Sequence, residues 1–207
     1  MKKKEVRDLI YSLITPLVIE KGFRFKKAGE GILSRSIPGG NQCIGVPFVD
    51  YNPQFKFSLF VTIRLNEVEE IANKFNAAPS KYHSETITFT AQLERFMPGK
   101  DTHFMVTTEE DIKAAIASLK PVVQERIVPF LNETQSLQAL ANAIDFLDIP
   151  KILSGTGSGM RMMTIAKLTK QPNFEIIAAT YQQRISQYPK DAQEELNNFI
   201  QHLRQSY

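Results

Sequence analysis

Between Phe55 and Leu65 every second residue is apolar: Phe55, Phe57, Leu59, Val61, Ile63 and Leu65 alternate with Lys56, Ser58, Thr62 and Arg64, and only Phe60 breaks the polar side. Successive side chains of an extended chain point to opposite faces. A run of this length therefore requires a sheet with one face buried and the other open to water or to a thinner layer. The pattern predicts one strand over Phe55–Leu65. Ile87, Phe89, Ala91 and Leu93 repeat it and predict a second strand over Thr86–Leu93. Shorter extended segments are read at Phe23–Phe25, Ile32–Ile37, Gln42–Phe48 and His103–Val106. Pro38-Gly39-Gly40 and Asp50-Tyr51-Asn52-Pro53 supply turns between them.

The period is helical at both ends of this region. Val6, Leu9, Ile10, Leu13, Ile14, Leu17 and Val18 recur at amphipathic-helix spacing. Pro16 predicts a kink or interruption in the last turns, and Gly22 a left-handed stop. Asn66–Phe75 reads as a short helix with Asn66 as its cap. After Val106, Thr107 and Glu110 match a capping box ahead of the stripe Ile112, Ala115, Ile116, Leu119. Pro121 is read as the first residue of a further helix. Beyond residue 134 three more stripes follow. They are Leu137-Leu140-Ala141-Ile144-Leu147, Phe174-Ile177-Tyr181-Ile185-Tyr188 and Leu196-Phe199-Ile200-Leu203.

Strands first and helices later predict an α+β fold, not an alternating parallel one. The expectation is a mainly antiparallel sheet of about four to six strands with helices on one face, followed by an all-helical C-terminal part. The corresponding organisation is a sheet domain over 1–133 and a helical region over 134–207 packed on it, either separate or continuous. A chain of 207 residues buries roughly 70% of its unfolded surface and folds without staples. Its one cysteine, Cys43, rules out an internal disulfide and fits a reducing compartment. The apolar residues after Met1-Lys2-Lys3-Lys4 are interrupted by Arg7, Asp8, Ser12, Thr15 and Pro16, so no signal-peptide core is read there. No run approaches the ~18 apolar residues of a membrane span. A cytoplasmic location and no membrane partner are expected.

The segment Leu13-Ile14-Thr15-Pro16-Leu17-Val18-Ile19-Glu20-Lys21-Gly22-Phe23-Arg24-Phe25-Lys26-Lys27 resembles the opening of a bacterial family known only as a domain of unknown function. Met160-Arg161-Met162-Met163-Thr164-Ile165-Ala166-Lys167-Leu168 is similar to that family's tail helices. The resemblance implies a helix, a proline, a Gly-Phe pair and a basic strand ahead of an antiparallel sheet, with a helical tail. It departs after Arg35, where the Pro38-Gly39-Gly40 turn is this chain's own. It carries no activity and no functional residue. Toxin-neutralising immunity proteins include similar small α+β proteins, an analogy of fold alone.

Several residue groups invite a chemical reading. Gly155, Gly157 and Gly159 precede Arg161 at a helix start, where free backbone N–H groups can hold an anion. The spacing matches neither the dinucleotide fingerprint nor the Walker loop, and a flexible connection is the plainer reading. Among the three histidines, no pair stands at metal-ligand spacing. His83 beside Glu85 and His103 beside Asp101 would form an acid–base site only if their segments met; exposed loop histidines are the plainer reading. Cys43 reads as a small core residue.

Nine of the 25 Lys/Arg but only four of the 22 Asp/Glu fall within residues 1–36. Lys2, Lys3, Lys4, Arg7, Arg24, Lys26, Lys27 and Arg35 can form a basic strip, with Phe23 and Phe25 interleaved as in single-strand nucleic-acid binders. Those phenylalanines alternate with the charges and are expected to point into the core. Phe60, on the polar side of its strand, together with Tyr51 and Tyr82 is the candidate partner surface. No catalytic constellation, cofactor or metal is expected. The reading that follows is a non-enzymatic protein-interaction or regulatory module of a bacterial cytosol, with another protein as partner. The alternatives are a nucleic-acid-binding protein using the basic strip, and a small-ligand or enzyme domain whose pocket the sequence does not reveal.

Overall fold

The computed structural model describes residues 1–27, 31–75, 79–146 and 156–207. Within them the chain is α+β. In chain order the elements are α1 (Lys3–Val18), β1 (Arg24–Lys26), β2 (Ile32–Ile37), β3 (Gly40–Gly45), β4 (Phe48–Asp50), β5 (Phe55–Phe57), β6 (Phe60–Leu65), α2 (Asn66–Ala72), β7 (Phe89–Gln92) and β8 (Phe104–Val106). They continue as α3 (Glu109–Val122), α4 (Val128–Glu133), α5 (Leu137–Ala143), α6 (Thr156–Leu168), α7 (Phe174–Ile185) and α8 (Lys190–Ser206). The strands form a five-stranded sheet ordered β1-β2-β3-β6-β7 and a three-stranded sheet ordered β4-β5-β8. The chain divides into two compact units. One comprises Met1–Ile63 and Thr90–Glu133, the other Arg64–Phe89 and Thr134–Tyr207. The helical C-terminal region thus shares its unit with α2 and its flanking segments.

In the first unit, α1 buries Val6, Ile10, Ile14 and Val18 completely and touches α3, which buries Ile112, Ile116 and Leu119. The helix runs through Pro16 without the expected interruption. It closes in a 3-10 turn at Ile19–Lys21, and Gly22 takes the left-handed stop at φ 85°. Register pairs Leu33 with Ile44 and Arg35 with Gln42, placing these four on one face of the sheet. That face is tied to the helical layer, because Gln42 Nε2 donates to Leu131 O (2.7 Å) and Arg35 Nη1 to Asn132 Oδ1 (2.8 Å). Tyr11 of α1 fastens the same layer: its hydroxyl donates to Gly31 O (2.5 Å) and accepts from Val46 N (3.3 Å).

Four expectations are corrected here. The strand expected over Phe55–Leu65 is two strands in different sheets, β5 and β6. The break falls at Ser58-Leu59, where Ser58 N donates to Pro47 O (3.2 Å) and Leu59 O accepts from Leu93 N (3.1 Å). The in-out alternation survives the break, because Phe57, Leu59 and Val61 are all buried, so sequence period alone shows one strand. The strand expected over 86–93 is shorter, with Leu93 opening a 3-10 turn. At α3 the cap is Thr108 with Asp111, one residue later than Thr107 with Glu110: Thr108 Oγ1 accepts from Asp111 N (3.1 Å), and Asp111 Oδ2 accepts from Thr108 N (2.9 Å). Pro121 lies inside α3 and starts no helix. A wide π-type turn at Val123–Ile127, in which Val128 N donates to Val123 O, carries the chain on into α4.

In the second unit α6 touches α2, α5, α7 and α8. Met163, Ile165 and Ala166 of α6, Ile177 and Tyr181 of α7, and Leu196, Phe199, Ile200 and Leu203 of α8 are at most 1% exposed. Gly159 lets α6 approach α7: a Cβ there would lie 2.6 Å from the Tyr181 ring. Asn66 is the first residue of α2, not its cap, and its Oδ1 accepts from Arg64 Nε (3.2 Å). No described helix is long and apolar enough to cross a membrane.

Candidate functional site

The three-stranded sheet of the first unit has two unlike faces. Its register aligns Phe48, Phe57 and Phe104 in one row and Asp50, Phe55 and Val106 in another. These rows form the inner face, where Phe57 stacks on Phe104 with centroids 5.3 Å apart and Phe55 lies against Phe48. The row between them is Val49, Lys56 and Met105. On this outer face Val49 and Met105 are each 50% exposed, and Tyr51, two residues on from Val49, is 58% exposed. The hairpin holds Tyr51 in place through its N–H, which donates to Gln54 O (2.8 Å). Strands β4 and β8 are the two edges of the sheet.

The charge in the row itself is positive. Lys56 stands in the middle of the exposed row. Lys3 Nζ lies 5.1 Å from the centre of the Phe48 ring, so the start of α1 meets the β4 edge from the inner-face side. Asp50 and Asp101 are engaged by backbone: Asp50 Oδ1 accepts from Asn52 N (2.9 Å) and Asp101 Oδ1 from His103 N (2.9 Å).

A second feature lies within the other unit. Glu69 of α2 is completely buried. Its carboxylate accepts from Arg161 Nε (2.8 and 3.0 Å), Arg161 Nη2 (2.8 Å) and Thr88 Oγ1 (2.8 Å). Burial pushes this carboxyl up. The hydrogen bonds and charge of Arg161, helped by Thr86 and Thr88, outweigh that and hold it below its usual 4.5. Arg64 Nη1 stands 3.9 Å from Glu69 Oε2 and donates to Thr86 O (2.6 Å) and Thr86 Oγ1 (2.7 Å). Beside this cluster opens a cleft of about 440 Å³, lined by Arg64, Glu69, Glu70, Asn73, Lys74, His83 and Ser84.

The structure places the sequence-derived candidates as follows. Tyr51 is on the outer face just described. Phe60 is half-buried with its ring over Gly45, so close that a Cβ on Gly45 would lie 2.2 Å from it. Tyr82, 48% exposed, is in the second unit with Lys81 Nζ over its ring. Gly155 lies outside the described residues. Arg161 turns to Glu69, and its Nη1 donates to Gly157 O (2.8 Å). In the basic strip, Arg7 pairs with Asp8 (3.0 Å), and Arg24 Nη1 donates to the carbonyls of Ile19 and Phe23 (both 2.8 Å). Arg35 packs over the Phe23 ring, while Lys2, Lys4 and Lys26 are exposed. Phe23 is buried as expected, but Phe25 on β1, the edge strand of the sheet among the described residues, is 40% exposed and lies against Tyr11.

Cys43 is half-buried, and burial pushes its thiol up from the usual value, which leaves less thiolate. The His202 ring packs on Phe75, while His103 is exposed. Among the described residues no group of three or more His, Cys, Asp or Glu is placed to hold a metal ion. Glu69, Arg64 and the row Val49-Lys56-Met105 did not emerge from the sequence. For Glu69 a signal was present: it shares the apolar stripe of α2 with Leu65, Val68 and Ala72, a carboxylate where helical spacing calls for an apolar residue. Comparison with protein-family models, curated proteins and solved structures found no match.

Proposed function

We propose that this chain is a non-enzymatic binding module that docks an acidic protein partner on the outer face of its three-stranded sheet. The observation that carries the reading is the cross-strand row Val49-Lys56-Met105, exposed at Val49 and Met105, with exposed Tyr51 beside it. An aromatic and two flexible or branched apolar side chains make a dry centre of the kind that dominates binding energy. Lys56 within the row favours a partner of opposite charge. Such complementarity sets orientation and association rate more than affinity. The face is flanked by the edge strands β4 and β8, where a strand added by the partner would supply main-chain bonds as well as side-chain contact.

The test compares the wild-type chain with a Val49→Asp/Met105→Asp double variant and with Lys56→Glu. Each is used to capture proteins from nuclease-treated host lysate, and the captured protein is then purified and titrated against all three. The reading expects one acidic partner, a tenfold or greater loss of affinity for the double variant, unchanged circular dichroism, and slower association at ~0.5 M salt, where screening shortens to a few ångströms. Tyr82→Ala, in the other unit, leaves binding unchanged. Equal binding by wild type and double variant removes this face from the account. Capture that disappears with nuclease moves the function to nucleic acid and the basic strip.

A further inference from the structure

The cleft beside Glu69 belongs to neither the sheet face nor the basic strip, and its charges do not balance. Glu69 is matched by the bidentate guanidinium of Arg161, at 2.8 Å on both arms. Setting that pair aside, the charged groups lining the cleft are Arg64, Lys74 and Glu70, with His83 and the hydroxyl of Ser84 beside them. The remainder is one net positive charge. Arg64 carries it in a place poorly reached by water, its side chain 14% exposed and 3.9 Å from a carboxylate already neutralised by another arginine. A cation removed from water without its own counter-charge favours an anion in the adjacent space.

The wall is also held ready. Asn66 Oδ1, Thr86 O and Thr86 Oγ1 accept from Arg64 and fix its guanidinium plane. Asn73 Nδ2 donates to His83 O (3.3 Å) and Thr86 Oγ1 (3.0 Å), which ties the Ser80–Glu85 turn to the end of α2. Groups already ordered lose little freedom on binding.

We propose that this cleft binds a small molecule carrying a single negative charge, a carboxylate or a phosphate monoanion, held between Arg64 and Lys74. Glu70, exposed at the rim, repels polyanions and selects for a low charge or for a ligand with an ammonium group near its carboxylate. With Arg64 Nε and Nη1 engaged by Asn66 and Thr86, Nη2 is the arm that would meet a ligand oxygen, in a charge-assisted hydrogen bond.

The experiment is a backbone-amide NMR titration of the full chain with acetate, with glycine and with inorganic phosphate in turn, each to ~10 mM, well above a ~1 mM dissociation constant. A polyphosphate serves as the polyanion comparison. The proposal expects saturable shifts confined to residues 64–74 and 80–86, weaker binding of the polyphosphate, and at least tenfold weaker binding after Lys74→Glu. Lys74 is exposed and its side chain makes no hydrogen bond or ion pair among the described residues, so that variant keeps the fold even if Arg64→Gln does not. Saturation by acetate or glycine alone assigns a carboxylate ligand, and by phosphate alone a phosphate ligand. The absence of saturable shifts with any of the three, tighter binding of polyphosphate, or unchanged affinity in Lys74→Glu overturns it.

Discussion

Replacing Glu69 by Gln tests whether the buried ion pair organises the second unit. The substitution keeps the shape of the side chain and one acceptor oxygen but turns the other position into a donor. That donor would face Arg161 Nε or Nη2, which now lie 2.8 to 3.0 Å from carboxylate oxygens. Arg161 is 11% exposed and Arg64 14%, so two guanidiniums would be left in a poorly hydrated space with no carboxylate between them. Removing one partner of a buried pair costs about 3–5 kcal/mol, most of it from the charge left behind. The whole stability of a domain is about 5–15 kcal/mol. At about 1.4 kcal/mol per tenfold, amide exchange in α2 and α6 should accelerate by about two to four powers of ten. Hydrogen exchange read by mass spectrometry on peptides from these helices measures this directly. Glu175→Gln is the matched control: its pair with Arg204 is exposed on both sides, at 64% and 44%, and should cost less than about 1 kcal/mol. Replacing Glu69 and Arg161 together by Met should recover part of the loss, because no lone charge remains from that pair. A loss in Glu69→Gln no larger than in Glu175→Gln would refute the reasoning.

Acid should act through the same group. The folded carboxyl of Glu69 lies below its unfolded value of 4.5, so its stabilisation is complete above 4.5 and is lost as pH falls through the lower folded value; exchange in α2 measured across that window should rise more steeply in wild type than in Glu69→Gln. Gly45→Ala should destabilise the five-stranded sheet by about 1–3 kcal/mol, because its Cβ would meet the Phe60 ring at 2.2 Å, and Phe60→Ala in the same chain should reduce that penalty; urea denaturation of the two single variants and the double variant gives the coupling, which additivity would disprove. Tyr181 is 1% exposed and its hydroxyl has no hydrogen-bond partner among the described residues, so Tyr181→Phe should be neutral or stabilise by up to about 1–3 kcal/mol; a clear fall in melting temperature would contradict that account.

The order of elements was written into the chain. Period two around Phe55–Leu65 and period 3.6 from Glu109 onward follow from backbone geometry acting on single segments, so an α+β fold with a helical tail was readable without tertiary information. The boundaries were less readable. Alternation reports which side of the chain is buried, not which neighbour a strand bonds, so one apolar run covered both β5 and β6. Capping depends on a single residue's backbone angles, and Thr107 and Thr108 look alike until one of them leaves the helix.

The candidate sites divide along the same line. Tyr51 and the lysines at the start of α1 were visible as exposed residue types, and Arg161 stood out beside its glycines. The row Val49-Lys56-Met105 joins residues from three strands and exists only through register. Arg161 and Glu69 are 92 positions apart, and nothing local distinguishes this arginine from one on the surface. Sequence by itself determined what each segment buries, because that is set by the period of its apolar residues. Tertiary structure alone decided which charges share a space without water, because desolvation depends on everything packed around a group and not on its neighbours in the chain.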